Sequence, residues 1–191
     1  MKFYTVIAAI AIIAIAAIML RPNSSTPTAV TTPQQQLNQL VGKPAPDFTL
    51  TDQSNHAFSL SKQRGHNVVL FFSEGVMCYP ACWNQIAALG GDAQLNSNLV
   101  TSANIVTDTP SAWESAFRKQ PALAKGTMLF DSDTTVSNKY GMLNLPSSMH
   151  RGMKPGHTFV VIDKNGIVRF VMDDSNMGIN DTKLQKEIAK L

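Results

Sequence analysis

The sequence predicts an α/β sandwich, a mixed central sheet flanked by helices, on three observations. Strand-like and helix-like segments alternate in a βαβαβ order that ends in a strand pair and a helix. Within that order stands "NVVLFFS" (67–73), a short apolar run of β-branched and aromatic residues that marks a strand covered on both faces. A second pair of alternating segments lies earlier in the chain and adds an N-terminal β-hairpin extension.

The elements follow in chain order. After Lys2, "FYTVIAAIAIIAIAAIML" runs for 18 residues from Phe3 to Leu20 without a charge, just long enough to cross a hydrocarbon core of ~30 Å at ~1.5 Å per residue. Residues 1–21 are therefore expected to be a transmembrane anchor or signal segment. Prolines interrupt the small-residue spacings after Leu20, which favours an uncleaved anchor. Lys2 before the run, with only Arg21 close behind, puts the N-terminus in the cytoplasm and the domain on the extracytoplasmic side. Residues 22–39, rich in Ser, Thr, Pro and Gln, are expected to form a flexible tether. Residues 40–191 then form one domain, long enough to bury a core.

Within that domain, "DFTLTD" and "AFSLSK" alternate apolar and polar residues about a turn at Gln53 to Asn55. After the 67–73 strand, a helix is expected from Cys78 to about Leu89, with Trp83, Ile86, Ala87 and Leu89 apolar and Gly90-Gly91 as the stop. "NLVTSANIVT" (98–107) is a second central strand, "PSAWESAFRKQ" (110–120) a helix opened by proline, and "GTMLFD" (126–131) another strand. "TTVSNKYGM" suggests a short helix. "HTFVVIDKNGIVRFVM" is a hairpin across Asn165-Gly166, and "NDTKLQKEIAKL" a closing helix capped by Asn180 or Asp181.

Charge excludes one class of partner. Of 16 Lys and Arg, Lys2 and Arg21 flank the apolar run, and the rest nearly balance 13 Asp and Glu, so no basic footprint for nucleic acid remains. There is no glycine-rich phosphate loop, Ser-His-Asp order or paired-carboxylate motif, so a hydrolase has no support.

Chemistry concentrates in "FFSEGVMCYPACWNQI" (71–86), which holds both cysteines, Cys78 and Cys82. Such a pair is a redox couple, a soft-metal clamp or a staple. The staple is the weakest reading, since closing so short a loop constrains little of the unfolded chain. With Cys78 at the N-cap and Pro80 in the first turn, a thiol would face the positive end of a helix, which favours the reactive thiolate. On an ideal helix, residues four apart have Cα atoms roughly 6 Å from each other, inside the ~4.4–6.8 Å that a disulfide tolerates. Glu74 is expected to be solvated on its loop, with a proton acceptor as the functional alternative, and Trp83 is expected beneath the helix. His56 and His66 are expected on surface loops.

"VGKPAPDFTLTDQSNHAFSLSKQRGHNVVLFFS", a cysteine motif at a helix start, and "HTFVVIDKNGIVRF" together resemble the thioredoxin-fold redoxins over roughly residues 40–190. That superfamily comprises peroxiredoxins (alkyl hydroperoxide reductase and thiol-specific antioxidant proteins), membrane-tethered thioredoxin-like proteins and Sco-type copper chaperones. The resemblance implies a thioredoxin-like sandwich. The peroxiredoxin motif P-x-x-x-T-x-x-C is not reproduced: Gly75 takes the threonine place when read from Cys78, and Tyr79 takes it when read from Cys82. Arg151 or Arg169 is the candidate guanidinium for a peroxide. The exchange branch usually has C-x-x-C and a proline just before the later strand, whereas here the spacing is C-x-x-x-C, Pro155 lies three residues before Thr158, and His157 is nearer.

The preferred reading is an exported, membrane-tethered thiol–disulfide oxidoreductase with antioxidant, peroxide-reducing activity as a related function. In it Cys78 attacks, Cys82 resolves, and neither a metal nor a cofactor takes part; the partners are a protein thiol or disulfide, or a hydroperoxide. The alternative that the resemblance implies is a Sco-like metallochaperone binding copper through Cys78, Cys82 and His157, with Met149, His150 and Met153 nearby. A lone loop histidine is expected to be solvated, and a methionine cluster to be packing filler.

Overall fold

A computed structural model describes residues 31–191 of the chain. The expected anchor or signal segment (1–21) and the first part of the expected tether lie outside the described residues. Among the described residues, no helix is long and apolar enough to cross a membrane.

The first element corrects the expected tether. Pro33–Asn38 form a helix, α1, opened by a capping box in which the Thr32 side chain accepts from the Gln35 N–H and the Gln35 side chain accepts from the Thr32 N–H. Its Leu37 is buried in the core. One apolar position in a polar helix is enough to anchor it, which composition alone does not reveal.

Seven strands form one sheet: β1 (Thr49–Asp52), β2 (Ala57–Ser59), β3 (Asn67–Ser73), β4 (Val100–Val106), β5 (Thr127–Phe130), β6 (Thr158–Ile162) and β7 (Val168–Asp173). Their spatial order is β2-β1-β5-β4-β3-β6-β7. The β3–β4 and β4–β5 pairs are parallel, and β1–β2, β1–β5, β3–β6 and β6–β7 are antiparallel, so the sheet is mixed and the early hairpin extends one edge.

The continuous apolar character of β3 has a direct cause. Val68, Leu70 and Phe72 face one core with Leu37, Phe48, Tyr140 and Val160, while Val69 and Phe71 face the other with Trp83, Ile86, Trp113 and Phe159. Successive side chains point to opposite faces, so a strand covered twice has no polar position to spare. The second face is covered by α2 (Ala81–Gly91), α3 (Pro110–Lys119) and α5 (Asp181–Ile188), and the first by α1 and the short α4 (Thr135–Lys139).

Two expected boundaries shift. Gly90 and Gly91 lie inside α2 rather than after it, and Gly90 is where the helix meets the chain entering β5: a β-carbon there would lie 2.6 Å from the Gly126 nitrogen. The Asn165-Gly166 turn is part of a five-residue loop organised by Asp163, whose carboxylate accepts the Asn165 and Ile167 N–H groups and the Arg169 guanidinium.

Candidate active site around the cysteine pair

The parallel strands β3 and β4 bring their carboxyl ends together, the position where α/β sheets build sites. Beyond β3 the chain makes a single 3₁₀ turn (Gly75–Met77) before α2 begins. Cys78 therefore lies at the end of that turn rather than on the helix, and Pro80, expected in the first turn, takes the N-cap position; the Tyr79–Pro80 peptide is cis. The Cys78 carbonyl still accepts the Cys82 N–H at 2.9 Å, so one helical turn separates the two residues. Their Cα atoms are 5.3 Å apart and the sulfurs are joined as a disulfide. Cys78 is 5% exposed and Cys82 0%, which makes Cys78 the edge sulfur and Cys82 the interior one.

Three side chains hold the turn. Asp108, two residues beyond β4, accepts the Val76 N–H at 2.7 Å and the Trp113 indole N–H at 3.2 Å through Oδ2, and pairs with Lys154 Nζ at 2.7 Å through Oδ1. Trp83, expected beneath the helix, lies on it and donates its indole N–H to the Val76 carbonyl of the turn at 3.1 Å. Glu74 is fully buried, not solvated, and its Oε1 accepts the Met149 and His150 N–H groups. The segment before β6 is thereby tied to the turn that carries the cysteines.

His157 is the largest departure from expectation. It is wholly buried, not solvated, because β6 lies antiparallel beside β3, with Thr158 opposite Phe72. Its ring packs edge-on to Phe71 and Phe159 at centroid distances of 4.6 and 5.4 Å. Nδ1 lies 3.8 Å from Cys82 Sγ, and Nε2 lies 3.0 Å from the Gly178 carbonyl. A carbonyl only accepts, so Nε2 carries the hydrogen and Nδ1 turns its lone pair to the sulfur. Burial pushes the imidazole pKa below its ordinary value, against the opposing pull of the Gly178 carbonyl and the Asp174 and Asp173 carboxylates. The backbone is fixed as well: the His157 N–H donates to Ser147 Oγ at 2.7 Å, and Ser147 Oγ donates to Asp173.

The remaining candidates separate. Arg169 pairs with Asp163 in the β6–β7 loop, at the end of the sheet away from the cysteines, so it is no peroxide ligand. Arg151 is exposed and donates to the Pro146 carbonyl. Met149 and Met153 are 69% and 70% exposed, which corrects their reading as packing filler. Cys78, Cys82 and His157 do come together, but the two sulfurs are bonded to each other, and among the described residues no group of three or more His, Cys, Asp or Glu side chains is disposed to hold a metal ion. Sequence reasoning missed Asp108, Lys154 and Ser147. Only Asp108 carried a signal, its place just past a central strand parallel to the one leading into the cysteines.

Comparison with known proteins gives a consistent result. The model of the AhpC/TSA family matches residues 41–171. Peroxiredoxin Q, chloroplastic, of Oryza sativa subsp. japonica is 30% identical over 133 residues, covering 70% of this chain and 58% of the rice protein, so the chain spans less than two thirds of that relative. Peroxiredoxin-2 of Cricetulus griseus is 33% identical over 147 residues, covering 69% of this chain and 68% of the hamster protein. Among solved structures, Enterococcus faecalis AhpC superposes with a TM-score of 0.67 at 15% identity, covering 79% and 91% of the two chains. Peroxidoxin BcpB of Mycobacterium tuberculosis superposes at 0.64 and 22% identity, covering 79% and 97%. At those identities the structures speak for the fold, a thioredoxin-like sandwich.

Proposed function

This chain belongs to the AhpC/TSA family, and from that premise we propose that it is a thiol–disulfide oxidoreductase that cycles Cys78 and Cys82 between dithiol and disulfide, with a hydroperoxide as oxidant and a protein thiol as reductant. One observation carries the reading: the two cysteines, one helical turn apart just past the carboxyl end of β3, have Cα atoms 5.3 Å apart, within the span of a disulfide, and are joined as one. Cys78, the edge sulfur, is the attacking thiolate. It takes the terminal oxygen of the hydroperoxide and becomes a sulfenic acid as the alcohol leaves. Cys82 then displaces hydroxide from that sulfur, and a partner thiolate reopens the disulfide at Cys78. The two sulfurs carry the electrons, so the cycle as proposed needs no cofactor.

We place the domain outside the cytoplasm, tethered through the apolar run at residues 3–20. The uncharged length of that run, Lys2 before it and a cysteine pair suited to an oxidising compartment support this placement. Fractionation of the tagged full-length chain, with protease added to intact cells, tests it. A cytoplasmic, protease-protected domain removes this part.

The redox proposal is tested by adding one equivalent of hydroperoxide to the reduced full-length chain and mapping the product by mass spectrometry. An intramolecular Cys78–Cys82 bond formed faster than in a denatured control supports it. Thiols that oxidise no faster than the unfolded peptide overturn it.

A further inference from the structure

The oxidoreductase reading leaves one chemical problem, which the interior of the site answers. Cys82 must become a thiolate to close the disulfide, yet it is wholly buried, and burial opposes ionisation of a thiol. Nδ1 of His157 lies 3.8 Å from that sulfur with its lone pair facing it, because Nε2–H is committed to the Gly178 carbonyl.

We infer that His157 is a catalytic residue, the general base that removes the Cys82 proton so that this interior thiol attacks the sulfur of oxidised Cys78. The inference rests on the proposed redox cycle but not on the identity of the oxidant. In the peroxide case, the Cys82 S–H bond breaks as Nδ1 gains a proton. The thiolate forms the sulfur–sulfur bond at the Cys78 sulfenic acid, and the departing hydroxide receives the proton from the imidazolium as water. One sulfenic acid and one thiol thus become one disulfide and one water.

The surroundings suit the task. Phe71 and Phe159 clamp the ring, and Ser147 and Asp173 hold its backbone, so the nitrogen is aimed without reorganisation. Asp173 and Asp174, at the end of β7, are the carboxylates facing the imidazole, and they stabilise the cation formed for the moment of transfer. Burial otherwise keeps the ring neutral at physiological pH, the form a base requires.

The test uses the reduced full-length chain and dithiobis(nitrobenzoic acid), an aromatic disulfide whose thiolate is coloured. Attack by Cys78 releases the first thiolate, and closure by Cys82 onto the mixed disulfide releases the second, so the ratio of the two rates isolates the step assigned to His157. His157→Gln is expected to lower that ratio on the order of 100-fold at neutral pH. The ratio recovers in strong alkali, well above the ordinary thiol value of about 8.5, where even a buried thiol ionises unaided. A ratio unchanged by the substitution, or a loss that persists in alkali, overturns the inference. Should the variant fail to fold, the wild-type profile decides. A second-phase rate already level at neutral pH supports the base, and a rate that rises only with alkaline thiol ionisation overturns it. Because no peroxide is used, a chain that fails to reduce hydroperoxides but shows the His157-dependent phase sinks the peroxide reading and leaves this inference standing.

Discussion

Gly75 and Asp108 are interlocked: a β-carbon on the glycine would lie 1.8 Å from Oδ2 of the aspartate, the same oxygen that accepts the Val76 N–H and the Trp113 indole. The glycine backbone is also left-handed, with φ of +80°. The residue that stands in the threonine place when the sequence is read back from Cys78 is therefore where the cysteine-bearing turn rests on the loop after β4. Gly75→Ala is expected to cost about 1–3 kcal/mol from backbone strain, and more if the carboxylate is displaced. Urea unfolding of the oxidised chain measures it, and a change of only a few tenths would contradict this account.

Asp108 and Lys154 form a largely buried pair at 2.7 Å. Asp108→Ala leaves the Val76 and Trp113 N–H groups and the Lys154 ammonium without their acceptor, at an expected cost of about 2–4 kcal/mol. Lys154→Met removes the stranded charge, so the double variant should be more stable than the sum of the two single losses implies. Strict additivity in a double-mutant cycle would show the pair to be uncoupled.

The two cysteines are expected to fail differently. Cys78→Ser should consume no hydroperoxide. Cys82→Ser should react once and stop, leaving a sulfenic acid on Cys78 that a diketone probe traps and mass spectrometry locates. Sustained turnover by Cys82→Ser with a thiol reductant would show that Cys82 is not the resolving group.

Asp163 couples the β6–β7 loop to pH. Burial pushes its carboxyl up, but the Ile167 N–H, the Arg169 side chain and the Asn165 N–H together outweigh that and hold its pKa below the ordinary carboxylate value. A folded pKa below the unfolded one means that the carboxylate stabilises the fold above the unfolded value, about 3.9, and that this contribution disappears as pH falls through the folded value. Asp163→Asn should therefore be less stable than wild type by about 1–3 kcal/mol at neutral pH. The two unfolding curves should converge in acid, and a constant gap would contradict the linkage.

Tyr140 closes the other core. Burial, with Asp47 nearby, raises its pKa well above that of an ordinary phenol, so the hydroxyl keeps its hydrogen and donates to the Pro46 carbonyl at 2.8 Å. Tyr140→Phe is expected to cost about 1 kcal/mol. Thermal unfolding of the two proteins side by side checks it.

Several features were legible in the residue order because short-range geometry determines them. The 67–73 strand betrays its double burial through an unbroken apolar run, since alternation leaves neither face for polar residues. The Cys78–Cys82 pairing follows from a four-residue spacing at a helical rise, even though the helix begins after Cys78. The late hairpin is visible as two β-rich runs about Asn165-Gly166, although Asp163 sets the loop that joins them.

Other features depend on contacts between distant residues. Pro33–Asn38 reads as a polar linker until Leu37 meets the core. His157 reads as a loop histidine until β6, placed against β3 by a pairing that spans most of the domain, carries it into the interior beside a sulfur 75 positions away. By itself the sequence determined the sandwich, its strands and its thiol pair, which are matters of local periodicity and spacing. Tertiary structure decided what faces the interior thiol and what supports the turn. Those neighbours come from strands adjacent only after folding, and burial and proton-accepting geometry are properties of that adjacency.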